Sequence, residues 1–441
     1  MGIALLCVYA AMLLHVSRMA RRAEDRAASF FVNSRASSSL GVAFSLVVSC
    51  VGASATMGMA GQAFAVGTPA FWWLGSGAVG LVLLAVLLAG KVRKSGCYTM
   101  PEMVDGLMGR RSRTLVSVII VIAWMAILAA QYTAMSRLLF AMTGLPQLWC
   151  LGIGFALIVC HTLGGQAVVI RTDRLQFYIM MGGLCLLLYW LNRVNPGWSA
   201  GVRLQAVNEH FGARELAHYV FVIGGNYLVC PMLFGRFLSA SDAGAARRGG
   251  LYAGLGLALS SCLIVAVGLA CRGLLPGATA KDAVLTGAID AALPSWAAML
   301  VFLALISAVV SSADSCLVTA ATVLSYDLLH SDRRGVCHTC VVTLGVIGLA
   351  VTFMDKNILE FLFMAYDVYV AGVVMPVFVA LLIRRKMRRP WLALAAIAGG
   401  GVLGSLSALL GNPFFSYAGM AASTVLTLMA YYGKTATVKT A

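Results

Sequence analysis

Apolar runs of about twenty residues recur from one end of the chain to the other, and the short polar segments between them hold most of the charge. About twenty helical residues are what the hydrocarbon core of a bilayer requires. The pattern therefore predicts an all-α polytopic membrane protein, one transmembrane bundle rather than a string of soluble domains. Thirteen spans are expected. They lie near Gly2 to Val16, Gly41 to Val66, Phe71 to Ala89, Thr114 to Met142, Leu148 to Thr162, Gln166 to Leu191 and Leu216 to Leu238. The remaining six lie near Gly249 to Cys271, Trp296 to Leu328, Val336 to Met354, Ile358 to Ile383, Trp391 to Leu410 and Pro413 to Tyr432. The first is short and basic at its end, but no small-residue cleavage site precedes the charges, so it is expected to be a retained helix.

Three of these spans depart from a uniformly apolar pattern. In the span that ends at Leu328, Ala308, Ser311, Ser312, Ser315, Thr319 and Thr322 recur three or four apart, which stacks them on one helical face. In lipid such a face must meet protein, water or an ion. Taken singly, each hydroxyl has a simpler use, bonding back to the carbonyl four residues earlier. The second span is dense in small residues, Gly52-Ala53-Ser54-Ala55-Thr56-Met57-Gly58 and then Gly61. This suits either close helix packing or a discontinuous helix whose freed carbonyls bind a cation. The second alternative calls for a matching break five helices later. Val222-Ile223-Gly224-Gly225-Asn226-Tyr227-Leu228-Val229-Cys230-Pro231 supplies one, since Pro donates no hydrogen bond and Gly eases unusual backbone angles. Paired interruptions point to a transport site near the membrane midplane.

Composition agrees with this picture. The chain has 441 residues, 61% hydrophobic and 11% charged, against about 25% charged in soluble domains. With the N-terminus outside and the C-terminus inside, 25 Lys and Arg fall in inner loops and six (Arg193, Arg203, Arg214, Arg272, Lys281 and Lys356) in outer ones, which is the positive-inside bias. The net charge of +16 thus calls for anionic lipid headgroups and not nucleic acid. Of the twelve cysteines, six sit singly inside apolar spans and behave as small hydrophobes. Cys337-His338-Thr339-Cys340 offers two or three ligands where a structural zinc takes four. No Ser-His pairing suggests a hydrolase, so no enzymatic activity and no organic cofactor are expected, nor is a protein partner required.

Several motifs together resemble the sodium:solute symporter family. His161-Thr162-Leu163-Gly164-Gly165, Ala167-Val168 and Thr172-Asp173-Arg174-Leu175-Gln176 are similar to that family's fifth core helix signature, with His161 where the family has Tyr. Ser311-Ser312-Ala313-Asp314-Ser315-Cys316-Leu317 resembles its S-T-x-D-S-x-L segment. Tyr98 to Glu102 resembles the segment after the second core helix, and Pro231 with Arg236 the end of the sixth. The motifs look nearest to the pantothenate, monocarboxylate and proline branches.

This resemblance implies a leucine-transporter-like core of five plus five helices in inverted repeat, with the first and sixth core helices broken. Residues 1–40 would form a leading helix and basic loop, 41–191 the first repeat, 216–383 the second, and 391–441 peripheral helices with a short cytoplasmic tail. It also implies sodium ligands at Ala53, Thr56, Ala308, Ser311 and Ser312. Neutral oxygens suit a hard monovalent cation that must later leave. Asp173 and Ser315 would line the ion's exit path, although Asp173 could equally pair with Arg171 or Arg174. Asp314, off the serine stripe, is expected to have a structural hydrogen-bonding role, and Asp367 to line the outer gate. The solute would be lined by Ser54, Met57, Gly58, Gln131, Thr133, Asn226, Tyr227, Phe363 and Tyr366.

Ala55, Met59 and Ala60 replace the polar residues of sugar symporters, and Ala55 also replaces the acid of proline symporters. A small carboxylate such as pantothenate or a monocarboxylate is the first expectation, and an amino acid such as proline the second. The expected activity is sodium-driven symport in the bacterial cytoplasmic membrane by alternating access. Proton coupling and a transport-dead receptor on the same fold are the alternatives. A sensor would carry a signalling domain, for which nine residues after Tyr432 are too few.

Overall fold

The computed structural model describes residues 2–23, 27–275, 283–354 and 357–432. The basic residues Arg26, Lys281, Lys356, Lys434 and Lys439 of the charge pattern lie outside them. The chain is helical throughout. In order, the main helices are α1 (Gly2–Ala23), α2 (Ser39–Cys50), α3 (Ser54–Val66), α4 (Thr68–Lys94), α5 (Arg110–Thr143), α6 (Gln147–Thr162) and α7 (Gly165–Val194). Then follow α8 (Ala213–Leu238), α9 (Ala243–Ala270), α10 (Ser295–Leu328), α11 (Arg334–Met354), α12 (Ile358–Ile383), α13 (Pro390–Leu410) and α14 (Pro413–Tyr432).

Among the described residues, ten helices are long and apolar enough to cross a membrane, or eleven if the bent pair α2–α3 is one span. The other two expected spans, Gly2–Val16 and Gln147–Thr162, are shorter apolar helices. Thirteen full-length spans are therefore not what helix length supports. Three short helices, Ala27–Val32, Met100–Met108 and Val284–Ala292, fall in segments read as loops.

Helix ends follow local chemistry. Gly109 (φ 89°) and Gly144 (φ 71°) bracket α5 in backbone conformations that β-carbons disfavour. Asp242 caps α9 by accepting from Ala245 N at 2.8 Å, and Asn357 caps α12 by accepting from Glu360 N at 2.9 Å. Thr99 and Glu102 cap Met100–Met108 reciprocally, Thr99 Oγ1 accepting from Glu102 N at 3.1 Å and Glu102 Oε2 from Tyr98 N at 2.7 Å.

Both expected breaks are present. Between α2 and α3 the chain bends by 60°. Within α8, Val229 (φ −141°, ψ 55°) and Cys230 (φ −92°, ψ 121°) leave the helical region just before Pro231. Proline removes the next donor and disfavours helix in the residue before it, so the interruption falls where the sequence demands it. The polar-striped α10 lies at the centre, packed against α5, α7, α6, α11 and α2, with 83% of its most apolar window buried. Its hydroxyls therefore face protein.

Glycines set the closest approaches. A β-carbon on Gly80 of α4 would lie 2.4 Å from the Gly224 carbonyl oxygen of α8, and one on Gly77 would lie 2.6 Å from the Tyr227 ring. Such contacts let two helices meet backbone to backbone. We expect Gly80→Ala to lower the melting temperature of the purified protein by several degrees, because a backbone carbonyl cannot yield as a side chain can. Gly399→Ala, on α13 with nothing within 4 Å of the added carbon, should leave it unchanged or slightly raised by up to ~1 kcal/mol of helix propensity.

Candidate functional site

The break between α2 and α3 lies directly against the serine stripe of α10. A β-carbon on Gly52 would sit 2.4 Å from Ser312 Oγ and 2.9 Å from Gln131 Oε1. The absence of a side chain at Gly52 is what lets the two helices meet. Backbone groups freed by the break find partners: Gln131 of α5 accepts from Ala53 N at 3.0 Å, and Ser312 Oγ donates to Ser49 O at 2.8 Å. Thr56 Oγ1 donates to Gly52 O at 2.9 Å, within its own segment. Ala53, Thr56, Ala308 and Ser311 are wholly buried, and Ser312 nearly so. Ser311 Oγ donates to Asp173 Oδ1 at 2.6 Å.

Asp173 leads to a second cluster, on the side of the break nearer the start of α2. Its ion-pair partner is neither Arg171 nor Arg174 but Arg236 of α8, with Nη2 3.4 Å from Oδ2. Arg171 and Arg174 stand beside it in sequence, but Asp173 is completely buried on the inward face of α7. Arg236 is also completely buried. Its Nε donates to Ser45 Oγ at 2.6 Å and its Nη2 to Ser49 Oγ at 3.2 Å and to Ser315 Oγ. Ser45 Oγ in turn donates to Asp173 Oδ2, and Ser49 Oγ lies 2.8 Å from Ser315 Oγ. Asp173 and Ser315, the expected exit-path residues, thus belong to one cage around a guanidinium. Arg236 entered the sequence reading only as part of a motif.

On the other side of the break is a small deep pocket of about 50 Å³. Ser54, Gln131, Asn226, Tyr227 and Tyr366, all among the nine residues expected around the solute, line it, and Asn226 Oδ1 has no hydrogen-bond partner among the described residues. Four expected residues fall elsewhere. Thr133 Oγ1 bonds back to Ala129 O at 2.9 Å, and a β-carbon on Gly58 would strike Leu359 at 2.8 Å. Met57 and Phe363 line a separate cavity of about 1160 Å³. Trp124, Cys50, Cys230 and Cys316 line the deep pocket unanticipated. Their apolar character reads in sequence as ordinary packing, and no signal marks them. No residue lines both spaces, so a wall divides them. The deep pocket carries no Asp, Glu, Lys, Arg or His.

The family model for the sodium:solute symporter family matches residues 30–399. The chain belongs to the sodium:solute symporter family. It is 23% identical over 439 residues to a sodium/pantothenate symporter of Escherichia coli (strain K12), covering 91% of this chain and 89% of that protein. It is also 23% identical over 354 residues to a sodium/glucose cotransporter of Vibrio parahaemolyticus, covering 71% of this chain and 65% of that protein, just under two thirds of its length. Among solved structures, a Na+-coupled sialic acid symporter in a substrate-bound outward-open state superposes with a TM-score of 0.81 at 16% identity, covering 97% of both chains. That likeness shows the fold, the leucine-transporter-like bundle of the family.

A further buried cluster links α6 to α10. His161 bonds through Nδ1 to Asp314 Oδ2 of α10, and Thr162 Oγ1 donates to Asp314 Oδ1 at 2.8 Å. Both His161 and Asp314 are buried. Asp314 therefore ties α10 to α6 on the side away from the break.

The cage gives a stability test. Removing one member of a buried ion pair strands the other and costs about 3–5 kcal/mol, whereas replacing both is far milder. Arg236→Gln should therefore lower the melting temperature in detergent more than the double variant Arg236→Gln with Asp173→Asn. If the double variant melts no higher than the single one, the two side chains are not an energetic pair.

Proposed function

We propose that this symporter-family member is a secondary active transporter that couples inward flow of Na+ to uptake of a small organic solute. The solute class is a carboxylate such as pantothenate or a monocarboxylate, or an amino acid such as proline. The observation that supports this reading is the meeting of Gly52 with Ser312 beside a pocket that carries no formal charge.

In this reading the Na+ takes carbonyl oxygens of Ala53, Thr56 and Ala308 and the hydroxyls of Ser311 and Ser312. Both hydroxyls donate their protons elsewhere, to Asp173 Oδ1 and Ser49 O. A hydroxyl that donates still holds lone pairs, which can turn toward a cation. The solute lies between the two broken helices, against Ser54, Gln131, Asn226, Tyr227 and Tyr366. Because its lining is uncharged, the pocket favours a solute that brings, or is completed by, the neighbouring cation. Each then raises the affinity for the other by the same coupling free energy.

About 50 Å³ holds a water or two and not an organic solute. The wall between the deep pocket and the large cavity must move for loading. The large cavity is then the outer entrance, at the end opposite the basic loops, with the N-terminus outside and anionic lipid against those loops. Unloading requires the Arg236 cage to open, since a fixed guanidinium repels a departing cation. Residues 41–191 and 216–383 act as the two repeats, and α13 with α14 stay peripheral.

The test is uptake by reconstituted vesicles under an imposed inward sodium gradient. Ser311→Ala with Ser312→Ala should raise the half-saturating sodium concentration at least tenfold, about 1.4 kcal/mol, with an unchanged gel-filtration profile. Unchanged sodium dependence in this variant would remove the site assignment. Solute that binds but never accumulates under the gradient would remove the symport reading.

A further inference from the structure

The turn of α10 that carries Ala308 and Ser311 is held in part by a helix that precedes both repeats. Along the seam between α10 and α7 the two helices meet at three successive places. At the first, a β-carbon added to Gly183 of α7 would stand 2.1 Å from the Ala304 Cβ of α10, so the backbones lie close. At the third, Ser311 Oγ donates to Asp173 Oδ1 at 2.6 Å. The middle place is built differently. Ser307 and Gln176 lie one helical turn from Ser311 and Asp173 and share their faces, yet they are joined through a third side chain, Tyr9 of α1. Gln176 Nε2 donates to Tyr9 Oη at 3.2 Å, and Tyr9 Oη donates to Ser307 Oγ at 3.1 Å.

Tyr9 is buried, and Ser307 and Gln176 are completely so. Leu6 and Leu13, one turn to either side of Tyr9 on the buried face of α1, are apolar, so packing alone would be served by a phenylalanine. A hydroxyl placed there must find partners, because a buried phenol without one is costly. It finds one on each of two other helices, as acceptor from α7 and donor to α10. Gln176 Oε1 has no hydrogen-bond partner among the described residues, so the amide is anchored through its Nε2 at Tyr9.

We propose that Tyr9 is a positioning residue for sodium: its hydroxyl fixes α10 against α7 and so aims the Ala308 carbonyl and the Ser311 hydroxyl. Ser307 immediately precedes Ala308 and lies one turn before Ser311, and a helix passes a displacement at one residue to the next turn. A site made of neutral oxygens depends on their joint placement, and the groups that orient the ligands therefore tune affinity. Without the Tyr9 hydroxyl, Ser307 is released to bond back to the Leu303 carbonyl of its own helix, and Gln176 loses its anchor. The leading helix thereby becomes a working part of the cation site. The inference rests on the sodium reading, in which Ala308 and Ser311 are ligands.

Equilibrium binding of radiolabelled Na+ to the full chain in lipid nanodiscs tests this, with ionic strength held constant by choline. Affinity is read separately from binding capacity. Tyr9→Phe should raise the sodium Kd by about threefold to tenfold, the range of one hydrogen bond between membrane helices, with capacity unchanged. A merely structural role would lower the capacity, the fraction of folded protein, and leave Kd alone. Ser307→Ala should raise Kd similarly, and the double variant should bind no more weakly than the weaker single one, because both changes remove the same contact. A native Kd in Tyr9→Phe, a loss of capacity alone, or effects that multiply in the double variant would each overturn the assignment. Should Tyr9→Phe fail to fold, Ser307→Ala and Gln176→Leu take its place: a raised Kd in either supports the role, and a native Kd in both overturns it. Absence of sodium binding by the native chain would remove the sodium reading itself. Weakened binding in Ser311→Ala with Ser312→Ala beside a native Kd in Tyr9→Phe would remove this inference alone.

Discussion

A guanidinium buried in the middle of an apolar bundle is the constraint on which the arrangement depends. Arg236 is completely buried, so its charge must be met from within the bundle. It is met by Asp173 of α7, Ser45 and Ser49 of α2, and Ser315 of α10. The cage therefore holds four helices in one register, since no single helix could supply it. Ser49 then carries the constraint onward. Its side chain belongs to the cage, while its carbonyl accepts from Ser312 beside the break. The place where α2 breaks is thus held against α10 by the groups that neutralise the arginine.

Broken helices in a membrane raise a complementary problem, because each break frees backbone groups that lipid cannot satisfy. Here the repairs come from neighbouring helices. Gln131 of α5 takes the Ala53 N–H, and the Tyr369 hydroxyl of α12 donates to the Val229 carbonyl. A repair by a side chain on another helix can be undone by moving that helix, whereas an intrahelical bond cannot. The breaks are therefore anchored where relative helix motion has leverage.

Much of this was legible in the sequence, and the failures share a cause. Periodicity placed the serine stripe, and Gly and Pro placed both breaks, because these are local signals with a local physical origin. What escaped was partner choice across the bundle. Arg171 and Arg174 flank Asp173 in sequence, yet Arg236, 63 residues away, is the residue that shares its buried face. Thr133, expected beside the solute, is absent from the deep pocket's lining, and its hydroxyl donates within its own helix. Met57 and Phe363 line the large cavity instead, because helical positions a turn apart open into different spaces.

Charge along the bundle falls into three levels. The cage holds a paired arginine and aspartate, the large cavity holds acids in excess, and the deep pocket between them holds no charged side chain. Isolated charge is least tolerable in that pocket, whose own side chains offer no counter-charge. A cation arriving there alone gains little, and so does an anionic or zwitterionic solute. Arriving together, each supplies what the pocket lacks. Coupling then needs no dedicated relay between sites. It follows from leaving the pocket's own side chains neutral.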